Sequence, residues 1–197
     1  MRFLQYIISR LRIFFGGIRR DFKELTNRYP NYKIGRGCYG PLVIEEFGDR
    51  VDLEIGAFCS FAKGVKIILG GEHQKNWITT YPFDRKYFND KSLPHSSFAK
   101  GDVIIGNDVW VGTDALILSG ATIGNGVIIA ARSVVKGNLV AYGIYAGTPA
   151  KLIAKRFEEE VIEELEKIAW WNWSDEKIKS NLSLLLSDKV EKIIDNQ

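Results

Sequence analysis

Residues 105–135 read IGNDVWVGTDALILSGATIGNGVIIAARSVV. Ile105, Val111, Ile117, Ile123, Ile129 and Val135 stand six apart, and Val109, Ala115, Ala121, Val127 and Ser133 follow the first five by four places. Gly106, Gly112, Gly124 and Ala130 fill the slot after the aliphatic residue in four units. A helix turning every 3.6 residues cannot keep such a stripe on one face, and a lone strand needs period two. A coil with short straight sides of about six residues can, the aliphatic residue pointing inward and the small one easing each corner. Three sides make a coil of about 18 residues, and stacked coils bury one continuous inward column. The pattern predicts an all-β solenoid, a parallel β-helix, over residues 34–150.

The rule recurs upstream at Ile34-Gly35 with Cys38, Ile55-Gly56 with Cys59, and Phe61-Ala62 with Val65. Both cysteines fall in the small inward slot and read as buried apolar residues. Between Leu69 and Gly101 the rule lapses into GGEHQKNWITTYPFDRKYFNDKSLPHSSFAKG, an inserted loop spanning 70–100. Solenoids tolerate such insertions, and long ones usually carry function. Ala146-Gly147-Thr148-Pro149-Ala150-Lys151 reads as the turn that ends the coils. Residues 151–197 form a helical segment: an amphipathic helix over 156–169, then Trp170-Trp171-Asn172-Trp173, then a second helix from about Asp175 capped by Ser174. The tryptophans are expected to plug the open end of the solenoid or pack on its coils.

Residues 1–33 carry a charge of +6, residues 151–197 carry −3, and the middle balances at zero. A net charge of +3 makes no case for nucleic acid. Two cysteines supply no disulfide framework and no zinc spacing, so no metal is expected and a reducing cytoplasm is the expected compartment. MRFLQYIISRLRIFFGGIRR opens the chain, but Arg10 and Arg12 break its apolar run well short of the roughly 20 residues a span needs. Residues 1–33 therefore read as an amphipathic helical segment, with its own body or a neighbouring subunit as the favoured partner and peripheral contact of residues 1–20 with an anionic inner membrane face as the competitor.

The chain resembles the hexapeptide-repeat acyltransferases, and within them the xenobiotic group of streptogramin and B-type chloramphenicol acetyltransferases and similar polysaccharide O-acetyltransferases. Ile55-Gly56-Ala57-Phe58-Cys59-Ser60, Gly70-Gly71-Glu72-His73, Tyr81-Pro82-Phe83, Gly101-Asp102 with Ile105 through Gly112, Ala146 through Lys151, and the tryptophan cluster carry the likeness. It implies a left-handed parallel β-helix, a homotrimer with sites between subunits, and acetyl-CoA as co-substrate. Glu72 stands where the antibiotic-modifying enzymes tend to carry Asn, and their long aromatic loop before the first Ile-Gly-x-Phe-Cys-Ser coil is missing. These departures and the basic N-terminal segment point to a saccharide acceptor, as in surface-glycan assembly, ahead of an antibiotic or an amino sugar.

Acetyl transfer to a hydroxyl needs a group to take the hydroxyl proton, and imidazole, titrating near neutrality, suits the task. His73, in the resembling turn, is the expected general base; His95 matches no motif and reads as structural or exposed. With both cysteines in core slots, direct attack is expected without an acyl-enzyme, aided by backbone N–H groups at a coil corner. Glu72, Trp77, Tyr81 and Phe83 are the expected acceptor contacts. Trp110, Gly112, Ala130, Ala131, Thr148, Lys151 and Arg156 are the expected coenzyme A contacts, the small residues admitting its arm and the cations meeting its phosphates. Two histidines cannot furnish a three-histidine zinc site of the γ-carbonic-anhydrase type, and 33 residues cannot hold a nucleotidyltransferase domain. A non-catalytic scaffold is the remaining alternative.

Overall fold

The structure, a computed structural model, describes residues 25–194. The chain visits three sheets in rotation. The first face holds Lys33–Ile34, Leu53–Ile55, Val103–Ile105, Thr122–Ile123 and Asn138–Leu139; the second holds Ser60–Phe61, Trp110–Val111, Ile128–Ile129 and Gly143–Ala146; the third holds Val43–Glu46, Lys66–Leu69, Leu116–Ile117 and Val134–Val135. All these strands pair in parallel, with Ile105 on Ile123, Val111 on Ile129 and Ile117 on Val135, so one turn of the winding is three hexapeptides. All six aliphatic residues of the repeat, and the five in the small slot, are buried. Each such aliphatic side chain contributes on the order of 1.5–3 kcal/mol by leaving water.

The two positions between the aliphatic and the small residue form the corner. The second adopts left-handed backbone at Phe58, Asp108, Asp114, Arg132 and Tyr142, with φ between 55° and 61°, and it is this residue that turns the corner. The glycine slot answers a different need. A Cβ at Gly112 would lie 2.6 Å from the amide nitrogen of Ala131 in the next coil, so glycine there permits close stacking. Asparagines reinforce the edge between the first and second faces. Asn107 Oδ1 accepts the Ala57 N–H at 2.7 Å, and Asn125 Oδ1 accepts the Asn107 backbone and side-chain N–H groups at 2.8 and 2.9 Å.

The expected turn is present at residues 147–150, but Lys151–Lys155, expected in the helical segment, is an exposed strand antiparallel to Gly143–Ala146. It lacks the six-residue period because no further coil stacks on it. The following helix is shorter than expected, Glu159–Ile168, and buries Ile162, Leu165 and Ile168. The next begins at Asp175, where the Ser174 hydroxyl accepts the Lys177 N–H. This segment lies along the first–second edge, across successive coils. Phe157 meets Tyr142 at 5.9 Å, Glu166 accepts from Asn125 at 2.9 Å, and Trp170 meets Phe58 at 5.1 Å. Arg36 stands over the Phe58 ring and donates to Asp175 and to the carbonyls of Trp171 and Trp173. Of the two placements expected for the tryptophans, the structure shows packing on the coils and not a plugged end. No helix among the described residues is long and apolar enough to cross a membrane, and the amphipathic reading of residues 1–20 lies outside them.

Candidate active site

The insertion leaves the edge between the third and first faces and is less loop-like than its sequence suggested. Glu72–His73 pairs antiparallel with Ser97–Phe98, and Phe83–Tyr87 forms one wide helical turn. The Gly70-Gly71 pair starts it with φ of 79° and 84°; a Cβ would lie 2.5 Å from Asp49 Oδ2 at the first and 2.7 Å from the Phe47 ring at the second. Both conditions select glycine.

Asp49, from the corner of the preceding coil, fastens the base. It accepts the Gly71 N–H at 2.8 Å and the Ser97 hydroxyl at 3.0 Å, and faces the Arg85 guanidinium at 3.8 Å. Arg85 also donates to the Phe47 carbonyl and to Ser97. Buried Asp84 accepts the Ser96 hydroxyl and its N–H. Those bonds, with the His95 imidazole nearby, hold the Asp84 carboxyl below the usual range.

His73 is exposed, and its Nδ1 lies 2.6 Å from the Thr80 carbonyl oxygen. A carbonyl only accepts, so Nδ1 carries the hydrogen and the Nε2 lone pair is left free. The side chain borders a cavity of about 930 Å³ lined also by Phe47, Asp84, Arg85, Leu93 and His95. The expected acceptor residues are distributed differently. Glu72 is absent from the lining; its Oε1 is 3.4 Å from Lys100 Nζ, and its other carboxylate oxygen is buried without a partner. Trp77, Tyr81 and Phe83 are exposed and also outside the lining, Tyr81 and Phe83 being in contact at 4.8 Å. Pro82, between them, does reach the cavity.

The expected coenzyme contacts cluster on another edge, between the second and third faces. Gly112, Ala130-Ala131 and Gly147-Thr148 stack there in successive coils, linked by Gly112 N–H to Ile129 O, Ala130 N–H to Tyr145 O, and Val134 N–H to Gly147 O. Ala131, Thr148 and Lys151 are exposed, as is Trp110 on the adjoining face, and Ala130 is half-buried. Gly112 is buried and its open side faces the backbone of the next coil. Arg156 is committed elsewhere: its guanidinium donates to Gly126 O at 2.7 Å, pairs with Asp108 at 3.3 Å and covers the rings of Tyr142 and Phe157. Trp110, Ala131, Thr148 and Lys151 thus present exposed surface at or beside this edge, while Gly112 is covered and Arg156 is held by its own neighbours. The neighbouring Cys38 thiol, and then burial, push the Cys59 thiol up, so it stays protonated in the core. Among the described residues no group of three His, Cys, Asp or Glu could hold a metal ion.

Sequence reasoning missed Asp49, Asp84 and the placement of His95 in the same cavity as His73. The sequence carried no signal for them, since they meet only when the two ends of the insertion pair and bring residues 72–74 against 96–98.

The family described as bacterial transferase hexapeptide (six repeats) matches residues 102–137. A probable macrolide acetyltransferase of Lysinibacillus sphaericus is 47% identical over 152 residues, covering 73% of this chain and 81% of that protein. A chloramphenicol acetyltransferase of Morganella morganii is 38% identical over 182 residues, covering 82% and 85%. A virginiamycin A acetyltransferase of Staphylococcus aureus is 41% identical over 178 residues, covering 85% and 78%. With the three-faced coil, the free imidazole nitrogen and these relatives together, the chain belongs to the hexapeptide-repeat acetyltransferases and is an acetyltransferase with acetyl-CoA as its acyl donor.

Proposed function

We propose that the chain acetylates a hydroxyl of an antibiotic-type xenobiotic by direct attack, with His73 as general base. Nε2 takes the acceptor proton as the oxygen attacks the thioester carbonyl, and returns it to the departing sulfur. The observation that carries this reading is the bond from Nδ1 to the Thr80 carbonyl, which fixes the tautomer with Nε2 as the basic nitrogen. Relatives named for macrolide, chloramphenicol and virginiamycin support a xenobiotic acceptor ahead of the saccharide expected from the sequence.

A saccharide remains the second reading on one specific ground. The corner where the antibiotic enzymes carry an aromatic loop is only residues 47–52. Assaying CoA release with chloramphenicol, virginiamycin A, a macrolide and a panel of oligosaccharides separates the two. Turnover of the antibiotics supports the first reading, and turnover of glycans alone replaces it with the second.

His73 and the coenzyme-edge residues lie on two different edges of one protomer, separated by the third face. A side of about six residues at about 3.3 Å each puts them roughly 15–20 Å apart. This separation supports a trimeric assembly in which the insertion of one subunit faces the coenzyme edge of the next. Activity is then expected to vanish on dissociation.

A further inference from the structure

We propose that His95 is a second acceptor-contacting residue: an N–H donor, oriented by Asp49 and Asp84, to an acceptor oxygen other than the hydroxyl being acetylated. This rests on acetyl transfer at His73. In the two-stranded ladder His73 stands opposite Ser97, so their side chains share a face. His95 precedes Ser97 by two residues, and the Gln74 N–H bond to the Ser96 carbonyl continues the pairing toward it. Period-two alternation then returns His95 to the face of His73, and both line the same cavity.

The His95 side chain is 61% exposed although its ring is bracketed by two carboxylates that are themselves only 7% exposed. Nδ1 is 3.5 Å from Asp84 Oδ2, and Nε2 is 3.9 Å from Asp49 Oδ1. Those separations exceed ordinary hydrogen-bond lengths, so the carboxylates orient the ring without saturating it. Each carboxylate is already anchored, Asp84 by Ser96 and Asp49 by Gly71 and Ser97, and does not depend on His95 for its place. The ring also borders a second hollow of about 460 Å³ lined by Gly48, Arg50 and Phe98 among others. His95 and Ser97 line both hollows, so an acceptor reaching from one toward the other would run past the imidazole. The class it fits is a polyoxygenated molecule larger than the unit that carries the reacting hydroxyl.

The test compares His95→Phe, which keeps a ring without a donor, with His95→Gln, which restores an amide donor, using whichever of chloramphenicol, virginiamycin A and a macrolide turns over fastest. His95→Phe is expected to lose about tenfold in kcat/KM, mainly through acceptor KM, with His95→Gln recovering part of it. The KM for acetyl-CoA and the thermal midpoint are expected to stay at the wild-type values. Equal loss in both variants, a matching rise in acetyl-CoA KM, or no loss in either overturns the proposal. Full activity in His73→Ala, or no turnover of any of the three acceptors, removes the reading beneath it and this inference with it.

Discussion

Truncating Asn107 to alanine removes a strut between three coils. Its Oδ1 accepts the Ala57 N–H at 2.7 Å from the coil on one side, and its Nδ2 donates to Asn125 Oδ1 at 2.9 Å on the other. Leaving the Ala57 N–H without a partner costs about 1–3 kcal/mol, and the second lost bond adds about 0.5–1.5 kcal/mol. We therefore expect a loss of about 2–4 kcal/mol, which for a chain of this size lowers the thermal midpoint by roughly 4–16 °C. Asn107→Asp keeps the acceptor for Ala57 but sets a carboxylate oxygen against Asn125 Oδ1, so it also destabilises. Asn138→Ala, an exposed position on the first face, is the control and is expected to change the midpoint little. Thermal denaturation followed by circular dichroism reads all three. A loss in Asn107→Ala no larger than in the control would refute the view that side-chain ladders, and not the inward column alone, hold the coils in register.

Ile117→Ala, at a position with no exposed surface, is expected to cost about 2–5 kcal/mol by the same denaturation assay. The depressed Asp84 carboxyl makes the base of the insertion acid-labile. Its contribution is fully present above the ordinary aspartate value of about 3.9 and is lost as pH falls through its lowered folded value. Pepsin cleavage within residues 74–95 should rise over that window, and Asp84→Asn should abolish the rise. Burial raises the Asp108 carboxyl while Arg156 opposes the rise, so ionised Asp108 becomes a larger cost as pH climbs through its folded value. Arg156→Met is thus expected to lower the thermal midpoint more at pH 7 than at pH 4. The same variant should leave the acetyl-CoA KM near wild type, whereas Lys151→Ala should raise it; initial-rate kinetics distinguish the two.

The repeat made the winding legible because an inward aliphatic residue every six positions has one geometric solution, and Ile105 through Val135 occupy it without a gap. Edges were less legible. Left-handed backbone at Phe58 or Tyr142 leaves no residue-type signature when aromatic contacts support it, as Trp170 and Phe157 do here. His73 was readable through its glycine turn, since Gly70 and Gly71 are demanded by backbone and by the close approach of Asp49 and Phe47. Asp49, Asp84 and His95 were not, because their meeting depends on antiparallel closure of a long insertion that carries no period. The partners of Arg156 were not legible either: it was expected near the coenzyme phosphates by resemblance, and its contacts with a half-buried carboxylate and two rings arise only when the segment after the coils folds back on their edge.

Steady-state kinetics of His73→Ala, with saturating acetyl-CoA and the best acceptor found, test the chemistry most directly. General-base catalysis by Nε2 predicts a fall in kcat of about 10²–10⁴-fold with the acetyl-CoA KM and the thermal midpoint unchanged. A variant that keeps wild-type kcat would show that the imidazole takes no proton in the transfer.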